Sequence, residues 1–297
     1  MREITLEELL EAGCHFGHQI TRHNPKSRDF VFEARDNIHI IDLAKTKEGL
    51  EQAMTFVKNL AAKNGTMIVV GPKRQARGIV AEEVKRAQDA GVDGLFAVTN
   101  RWIGGTLTNF SEVSKNYKRL KDFTARLQND EEKARFTKKE VGQWEKSRVK
   151  LESFYGGLAN AQGTPDALFI IDTHLEALAV REARAMHVKT VGIVDTNADP
   201  FVIDYPIPAN DDAVGSIKLI VSAIIDAWIE GAESRRKGET SSPASEADRR
   251  GTNEHDKEEV QKTEAKTEKK KKEKKEKTTV KKAKKPTKKK DAETSSA

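Results

Sequence analysis

The sequence predicts an α/β fold in which a doubly wound parallel sheet carries an inserted antiparallel helical hairpin. Short apolar runs alternate with longer amphipathic segments between Ile38 and Val194. Such alternation is typical of parallel strands covered by helices on both faces. A highly charged stretch with coiled-coil-like spacing, residues 110–155, interrupts it. Residues 232–297 differ again, because they contain no Phe, Trp or Tyr.

Five apolar runs are predicted to be buried strands, because they are short and rich in Val and Ile. They are IHIIDL from Ile38, TMIVVG from Thr66, GLFAVT from Gly94, ALFIID from Ala167 and TVGIVD from Thr190. Alternation of such strands with helices implies right-handed crossovers and a doubly wound sheet.

The segments between these runs have apolar residues at helical spacing. Two of them end in Gly65 and Gly91, where a helix C-terminal cap favours a positive φ angle. A last helix is predicted from the acidic pair at 211–212 to Gly231.

The charged stretch from 110 to 155 is predicted to be an antiparallel coiled-coil hairpin. Its first half has apolar residues three or four positions apart, a matching set follows in its second half, and the polar segment NDEEKARFTKKE separates them. Each of the two predicted helices has about twenty residues and would be roughly 30 Å long. The pairs Gly104–Gly105 and Gly156–Gly157 flank this insertion and are predicted to act as hinges.

The predicted organisation is therefore an α/β domain of residues 1–109 and 156–231, a hairpin of residues 110–155 and a disordered lysine-rich tail of residues 232–297. The tail holds 22 basic and 14 acidic residues, whereas the preceding 231 residues hold 31 and 33. The tail has too few large apolar residues to offset the entropy of ordering.

The composition also bounds the compartment. Cys14 is the only cysteine, which excludes an intramolecular disulfide and favours a reducing compartment. The N-terminus resembles neither a signal peptide nor a membrane anchor, and no apolar run is long enough to span a bilayer. We expect a soluble cytoplasmic protein with no membrane partner.

A nucleotide- or Mg²⁺-dependent enzyme is the main alternative from the residues alone. The segment IVVGPKRQARG places basic residues between a strand and a helix, but it has neither dinucleotide-binding nor P-loop spacing. Lys73 and Arg74 suit an RNA phosphate better, and a solvated helix start remains open. Six carboxylates that follow predicted strands could bind Mg²⁺, although turn and cap roles are favoured; they are Asp172, Asp195, Asp199, Asp204, Asp211 and Asp212.

The segment AGCHFGHQITRHNP could hold a metal or a nucleophilic cysteine. No second ligand cluster follows at zinc spacing, so a tight loop with satisfied histidines is favoured. We expect no metal and no cofactor. Arg22, Asn24 and Lys26 offer a mixture of groups that suits phosphate and base contacts.

The loop NRWIGGTLTNF combines cationic, aromatic and hydrogen-bonding side chains on a flexible backbone, which suits unpaired RNA. Trp102 packing into the domain and Asn109 capping the following helix are the structural alternatives.

Several segments in order resemble the bacterial family of small-subunit ribosomal protein two. They are EAGCHFGHQITRHNPKSRDFVF, NIHIIDLAKT, NRWIGGTLTNF, TPDALFIID, IVDTNADP and DYPIPANDDAVGSIKLI, and the resemblance spans residues 4–231. It implies a flavodoxin-like sheet with a protruding helical hairpin. It also implies a non-enzymatic role in the small ribosomal subunit, with no small-molecule substrate.

The resemblance further implies partners and contacts. The partners are ribosomal RNA near the head–body junction and other small-subunit proteins, including ribosomal protein one, which the family helps to recruit. The matching RNA-facing positions are His18, Gln19, Asn24, Pro25, Lys26, Arg101, Trp102, Gly104, Gly105, Thr108 and Asn109. The basic hairpin residues Lys115, Lys118, Arg119 and Lys121 resemble the family's RNA-side helix in character.

Overall fold

The structure of the protein, a computed structural model, describes the backbone of residues 2–241 and the side chains of residues 2–237. The strands in this part of the chain are β1 (Phe16–Gln19), β2 (Val31–Arg35), β3 (Ile38–Ile41), β4 (Met67–Val70), β5 (Leu95–Val98), β6 (Ala167–Ile170), β7 (Lys189–Val194) and β8 (Tyr205–Pro208). The helices are α1 (Leu6–Glu11), α2 (Leu43–Ala62), α3 (Arg77–Asp89), α4 (Phe110–Gln128), α5 (Asp130–Ala134), α6 (Lys138–Tyr155), α7 (Ala177–Ala185) and α8 (Val214–Ser241).

A five-stranded parallel sheet forms the centre of the molecule, in the order β5-β4-β6-β7-β8. Numbered along the chain within this sheet, the order is 2-1-3-4-5, which is that of flavodoxin-like folds. The predicted fold class is therefore confirmed. The order reverses between β4 and β6, and the crevice at their carboxyl ends is where such folds bind ligands.

Successive residues of the sheet strands enter two different apolar clusters, because side chains alternate across a strand. Met67 and Val69 of β4 pack with α2, α3 and α8. Ile68 and Val70 pack on the other face with α7 and with the base of the inserted hairpin. Both faces are thus covered, which explains the near-continuous apolar strands.

A second, smaller antiparallel sheet precedes the parallel one, in the order β1-β3-β2. The segment IHII was predicted to be a buried strand of the main sheet, and this prediction was wrong: it is β3, in the smaller sheet. Only Ile41 of β3 is fully buried, so an apolar run did not guarantee two covered faces.

The two edges of the parallel sheet are protected in different ways. Strand β8 was not predicted, because its sequence YPIP contains two prolines. Proline lacks an amide hydrogen and is confined to sheet edges, where β8 lies. At the other edge, the 3₁₀ turn Gly156–Leu158 packs against β5.

Helix ends depart from the predictions at two glycines. Gly91 has the expected positive φ of 74°, but the left-handed residue after α2 is Asn64, with φ of 59°, and not Gly65. Gly231 does not end the last helix, since α8 continues to Ser241. A Cβ atom at Gly231 would lie 2.3 Å from the Lys58 carbonyl oxygen, so this glycine allows α8 to approach α2 closely.

The inserted hairpin consists of α4 and α6, which pack along each other, with the short helix α5 between them. Val113, Tyr117 and Leu120 form the buried stripe of α4, and Tyr117 meets Tyr155 of α6 with 5.5 Å between ring centroids. The predicted polar turn therefore contains one extra helix. We call residues 110–155 the arm and the remaining residues up to 231 the body.

Among the helices of the described residues, none is both long enough and apolar enough to cross a membrane. Residues 232–241, predicted to belong to a disordered tail, form the end of α8. The rest of the predicted tail lies outside the described residues.

Candidate nucleic-acid interface

Lys73 fills the crevice at the carboxyl ends of the parallel strands. It follows β4, and its Nζ lies 3.0 Å from Asp172 Oδ2, which follows β6 across the point where strand order reverses. The same Nζ lies 2.8 Å from Asp211 Oδ1 and 2.8 Å from Asp212 Oδ1. With only 14% of its side chain exposed, Lys73 neutralises this carboxylate cluster and does not present its charge to an RNA phosphate.

His18 joins the same cluster from the smaller sheet. Its Nδ1 lies 3.1 Å from Asp195 Oδ1, and its Nε2 lies 3.6 Å from Asp212 Oδ2. Its backbone N–H donates to Thr196 Oγ1 at 2.9 Å. Gly17 allows this approach, because a Cβ atom there would lie 2.7 Å from the Thr196 methyl carbon.

The cluster shifts the protonation of its members in directions set by burial and by neighbouring charges. The hydrogen bond to Asp195 raises the pKa of His18. Burial, with the nearby Asp172 and Asp195, raises the pKa of Asp211 to about 7. Burial lowers the pKa of Lys73, but its hydrogen bonds to Asp211 and Asp212 outweigh burial and raise the pKa overall.

The ligand atoms of His18, Asp195 and Asp211 lie within 4.8 Å of one another, so these three residues could hold a metal ion. The sequence pointed to capping roles for the acidic residues at the strand ends. Asp199 does accept a hydrogen bond from Phe201 N, at 3.1 Å. Asp211, however, pairs with Lys73.

The cysteine and histidines near the N-terminus do not converge on one site. Cys14 is fully buried in the core, and burial raises the pKa of its thiol, so it is not poised as a nucleophile. His23 packs against His39 with 4.9 Å between ring centroids.

Glu182 of α7 organises the loop between β5 and the arm. Its carboxylate accepts hydrogen bonds from the backbone N–H groups of Gly105 at 2.7 Å and Leu107 at 3.0 Å. The Thr108 N–H and hydroxyl group each donate at 3.4 Å, and the Trp102 Nε1–H donates at 3.5 Å. Glu182 is 6% exposed, and no cation of residues 2–237 pairs with it, so loop donors stabilise its charge.

This arrangement corrects two predicted RNA contacts. Trp102 is 3% exposed and packs into the core beside the arm, which leaves no ring face for a nucleobase. Lys73 is held by three carboxylates, as described above. Trp102 packs in the core and Lys73 is ion-paired, so we remove both residues from the set of RNA contacts.

The four predicted hinge glycines have different roles in the structure. Gly105 alone has a positive φ, 92°. A Cβ atom at Gly157 would lie 2.1 Å from the Ala97 carbonyl oxygen of β5, so this position requires glycine for packing. Gly156 has a helical backbone conformation. A Cβ atom at Gly104 would contact only the side chains of Leu178 and Glu182.

The loop after β1 presents further polar groups. Gln19, Arg22 and Lys26 are exposed. Lys26 Nζ lies 2.5 Å from Asp199 Oδ2, and Asn24 Oδ1 accepts a hydrogen bond from the Lys26 N–H at 3.1 Å. His18, in contrast, faces inward to its carboxylates.

The arm presents a row of cations on α4. Lys115, Lys118, Arg119 and Lys121 are all exposed. Lys115 pairs with Glu112 at 2.7 Å, and the other three have no ion-pair partner among the described residues. The loop between β5 and α4 exposes Arg101, Thr108 and Asn109. The segment between β4 and α3 exposes Arg74.

Sequence reasoning named exposed polar residues in the loops and on α4, but it missed the hydrogen bonds of Glu182 and the pairing of His18 with Asp195. Both are contacts between residues far apart in the chain, separated by 77 residues for Glu182 and Gly105, and no local spacing signals them.

A family model for ribosomal protein S2 matches residues 9–231, which include both sheets, the arm and the carboxylate cluster. This match confirms the resemblance carried by the loop segments. Membership of this family implies a ribonucleoprotein component that acts in translation on the cytoplasmic ribosome. The chain belongs to the ribosomal protein S2 family, whose members are structural proteins of the small ribosomal subunit.

Proposed function

We propose that this protein binds ribosomal RNA near the junction between the head and the body of the small subunit. The arm of the protein and the loops at the base of the arm form the contact surface. The observation that carries the proposal is the separation of charge within residues 1–231. The arm holds 12 basic and 8 acidic residues, whereas the body holds 19 basic and 25 acidic residues. RNA phosphates are attracted to the arm and repelled by much of the body.

The arm cations are free to make these contacts. Lys118, Arg119 and Lys121 project from the exposed side of α4, and no carboxylate among the described residues neutralises them. Each cation that meets a phosphate adds affinity that falls with salt. The row on α4 therefore supplies affinity with little sequence preference.

The loops at the base supply groups that can recognise unpaired nucleotides. Arg101 and Asn109 are exposed beside the start of α4, Gln19 is the last residue of β1, and Arg22 and Asn24 lie in the segment that follows it. Guanidinium planes stack on bases, and amides hydrogen-bond to base edges. Glu182 holds the first of these loops in one conformation, so its groups are preorganised.

The decisive experiment measures rebinding of the protein to small subunits from which it has been removed, over a range of salt concentrations. The triple variant Lys118→Gln, Arg119→Gln, Lys121→Gln should bind more weakly than the wild type. The slope of log affinity against log salt should become shallower by about one for each phosphate that the variant no longer neutralises.

A matched control removes the same charge from the body through Lys63→Gln, Lys85→Gln and Lys218→Gln. All three lysines are exposed and have no ion-pair partner among the described residues. This control should retain the wild-type salt slope. Equal effects of both triple variants would contradict a specific role for the arm, and absence of rebinding by the wild type would contradict the proposal as a whole.

We also propose that the smaller sheet contributes to recruiting ribosomal protein one. Four large apolar side chains on or beside its strands are exposed: Phe16, Ile20, Phe32 and Ile38. Phe32 is the most exposed of the four, at 71%, and exposed apolar side chains that form one patch mark protein-binding surfaces. Loss of ribosomal protein one from subunits carrying Phe32→Ala, with unchanged binding of the variant itself, is the expected result.

An enzymatic role for the carboxyl-end crevice is the competing proposal. Lys73 occupies the place where a doubly wound fold commonly binds a ligand, and three carboxylates hold it there. This occupancy supports a non-enzymatic role, which the family also implies. Saturable nucleotide binding that Lys73→Met abolishes, with turnover, would favour the enzyme instead.

A further inference from the structure

Phe201 is the most exposed of the large apolar side chains in residues 2–237, at 72%. It lies in the 3₁₀ turn Pro200–Val202, between β7 and β8, and Asp199 fixes the start of that turn by accepting from the Phe201 N–H at 3.1 Å. No other ring of the described residues contacts it. The phenyl ring is therefore accessible on a turn whose start is fixed by a hydrogen bond.

A cavity of about 420 Å³ opens beside this ring. Its lining includes Arg184 of α7 and His187, two residues beyond the end of that helix, together with Lys189 and Asp204. This volume is within the range of roughly 300–1,000 Å³ found for ligand pockets. The lining combines an aromatic face, a guanidinium group and an imidazole ring.

The surface around the cavity is basic, although the body as a whole is acidic. Arg181 and Arg184 are exposed on α7, and neither has an ion-pair partner among residues 2–237. Lys189 Nζ lies 2.8 Å from Asp204 Oδ1, so this pair is internally neutral. The guanidinium group of Arg184 therefore lies at the cavity beside the phenyl ring, with Arg181 exposed on the same helix, and favours an anionic partner that also carries an aromatic group.

Helix α7 connects this surface to the base of the arm. Glu182, which holds the arm loop, lies between Arg181 and Arg184 in the chain. The same helix therefore contributes both to the hold on the arm loop and to the basic surface beside the cavity.

We propose that Phe201 and Arg184 form a stacking site for one unpaired nucleotide of ribosomal RNA. The nucleobase stacks on the phenyl ring, and its phosphate contacts the guanidinium group of Arg184. Aromatic rings and arginine side chains are the groups that bind unstacked bases in RNA recognition. This inference rests on the RNA-binding function proposed above and adds a contact outside the arm and its loops.

The test is rebinding of variants to small subunits that lack the protein. Phe201→Ala should lower the affinity about 5- to 150-fold, the range expected for loss of one base–aromatic stack. Phe201→Trp should retain the wild-type affinity, because a larger ring still stacks. Arg184→Gln should make the salt slope shallower by about one.

Leu10→Ala is the matched control, because Leu10 is also a large exposed apolar side chain, at 53%, and it lies on α1, outside the proposed contacts. It should leave the affinity for the subunit unchanged. The urea unfolding midpoint of Phe201→Ala should equal that of the wild type, which separates a defect in binding from a defect in folding.

A photoreactive p-benzoylphenylalanine at position 201 identifies the occupant directly. A crosslink to ribosomal RNA is the expected outcome. A crosslink to a protein neighbour alone, or wild-type affinity of Phe201→Ala, would overturn the stacking site while leaving the arm proposal intact. Failure of the wild type to rebind would defeat the RNA-binding function, and this inference with it.

Discussion

The body and the arm of this protein use charged residues in opposite ways. In the body, carboxylates such as Asp195, Asp211 and Glu182 are buried and hold together segments that are distant in the chain. In the arm, most charged side chains point outward, and the buried stripe is apolar and short. In the body, buried charges therefore hold the fold together, whereas on the arm the charges are exposed to the surroundings.

The difference shows which cations of this small-subunit protein are accessible to RNA. A cation that is buried among carboxylates, such as Lys73, stabilises the fold but is not accessible to RNA. On the arm, Lys118, Arg119 and Lys121 are exposed and have no ion-pair partner among the described residues, because a two-helix hairpin has little interior in which to bury them. Three substitutions, ordered by expected effect, test this contrast.

The largest effect is expected where the arm rejoins the body. Gly157→Ala would place a Cβ atom 2.1 Å from the Ala97 carbonyl oxygen, and the β5 backbone cannot yield without disturbing the sheet. We expect a loss of about 3 kcal/mol in the free energy of unfolding. Urea denaturation followed by circular dichroism measures it.

The neighbouring glycine provides the control. A Cβ atom at Gly156 would meet only the Glu152 side chain, at 3.4 Å, and the residue is helical in conformation. Gly156→Ala should therefore change stability little. Equal destabilisation by both substitutions would mean that the pair acts as a flexible hinge and not as a packed joint.

A smaller effect is expected at the loop that Glu182 holds. Glu182→Gln keeps the shape of the side chain but removes its charge and places an amide donor against backbone donors. We expect a loss of about 2 kcal/mol in the free energy of unfolding, the cost of leaving buried donors unsatisfied. Hydrogen exchange at the Gly105 and Leu107 amides should become faster.

Glu83→Gln is the matched comparison, since Glu83 is a buried carboxylate that pairs with Arg86 and Ser222, far from the loop in the chain. It should lower stability without changing exchange at Gly105 or Leu107. Unchanged exchange in Glu182→Gln would show that the loop is held by other contacts.

The smallest effect is a dependence of stability on pH that arises in the body. The raised pKa of His18 contributes stability below its unfolded value of about 6.5, and this contribution is lost as pH rises through the folded value. Asp211, with a pKa of about 7, acts in the same direction. Stability should therefore fall by on the order of 1 kcal/mol between pH 6 and pH 8, in buffer that contains a chelator.

His18→Gln should reduce this fall, whereas His174→Gln, at an exposed histidine without a carboxylate partner in the described residues, should not. Asp195, Asp172, Asp212 and Lys73 face the same cluster and remain in both variants. Identical pH profiles for both variants would exclude His18 as a source of the effect.

The sequence predicted the central sheet well because parallel strands covered on both faces leave an unmistakable apolar pattern. It did not predict β8, since prolines hide an edge strand, and it assigned β3 to the wrong sheet, since an apolar run does not identify its partner. The surface was predicted in part. Arg101 and the α4 cations stood out locally, but the burial of Trp102 was only one of two alternatives, because its packing partners come from distant parts of the chain. Phe201 had no local signal, because its exposure is a property of the fold.

The two protected edges of the parallel sheet affect how readily the free protein aggregates before it joins a ribosomal subunit. A ribosomal protein leaves its own synthesis as a free chain before it joins a subunit. Exposed strand edges recruit other chains and start aggregation. The prolines of β8 remove amide donors from one edge, and the turn at Gly157 blocks the other. The same residues that shape the sheet thus keep the unassembled protein from pairing with its own copies.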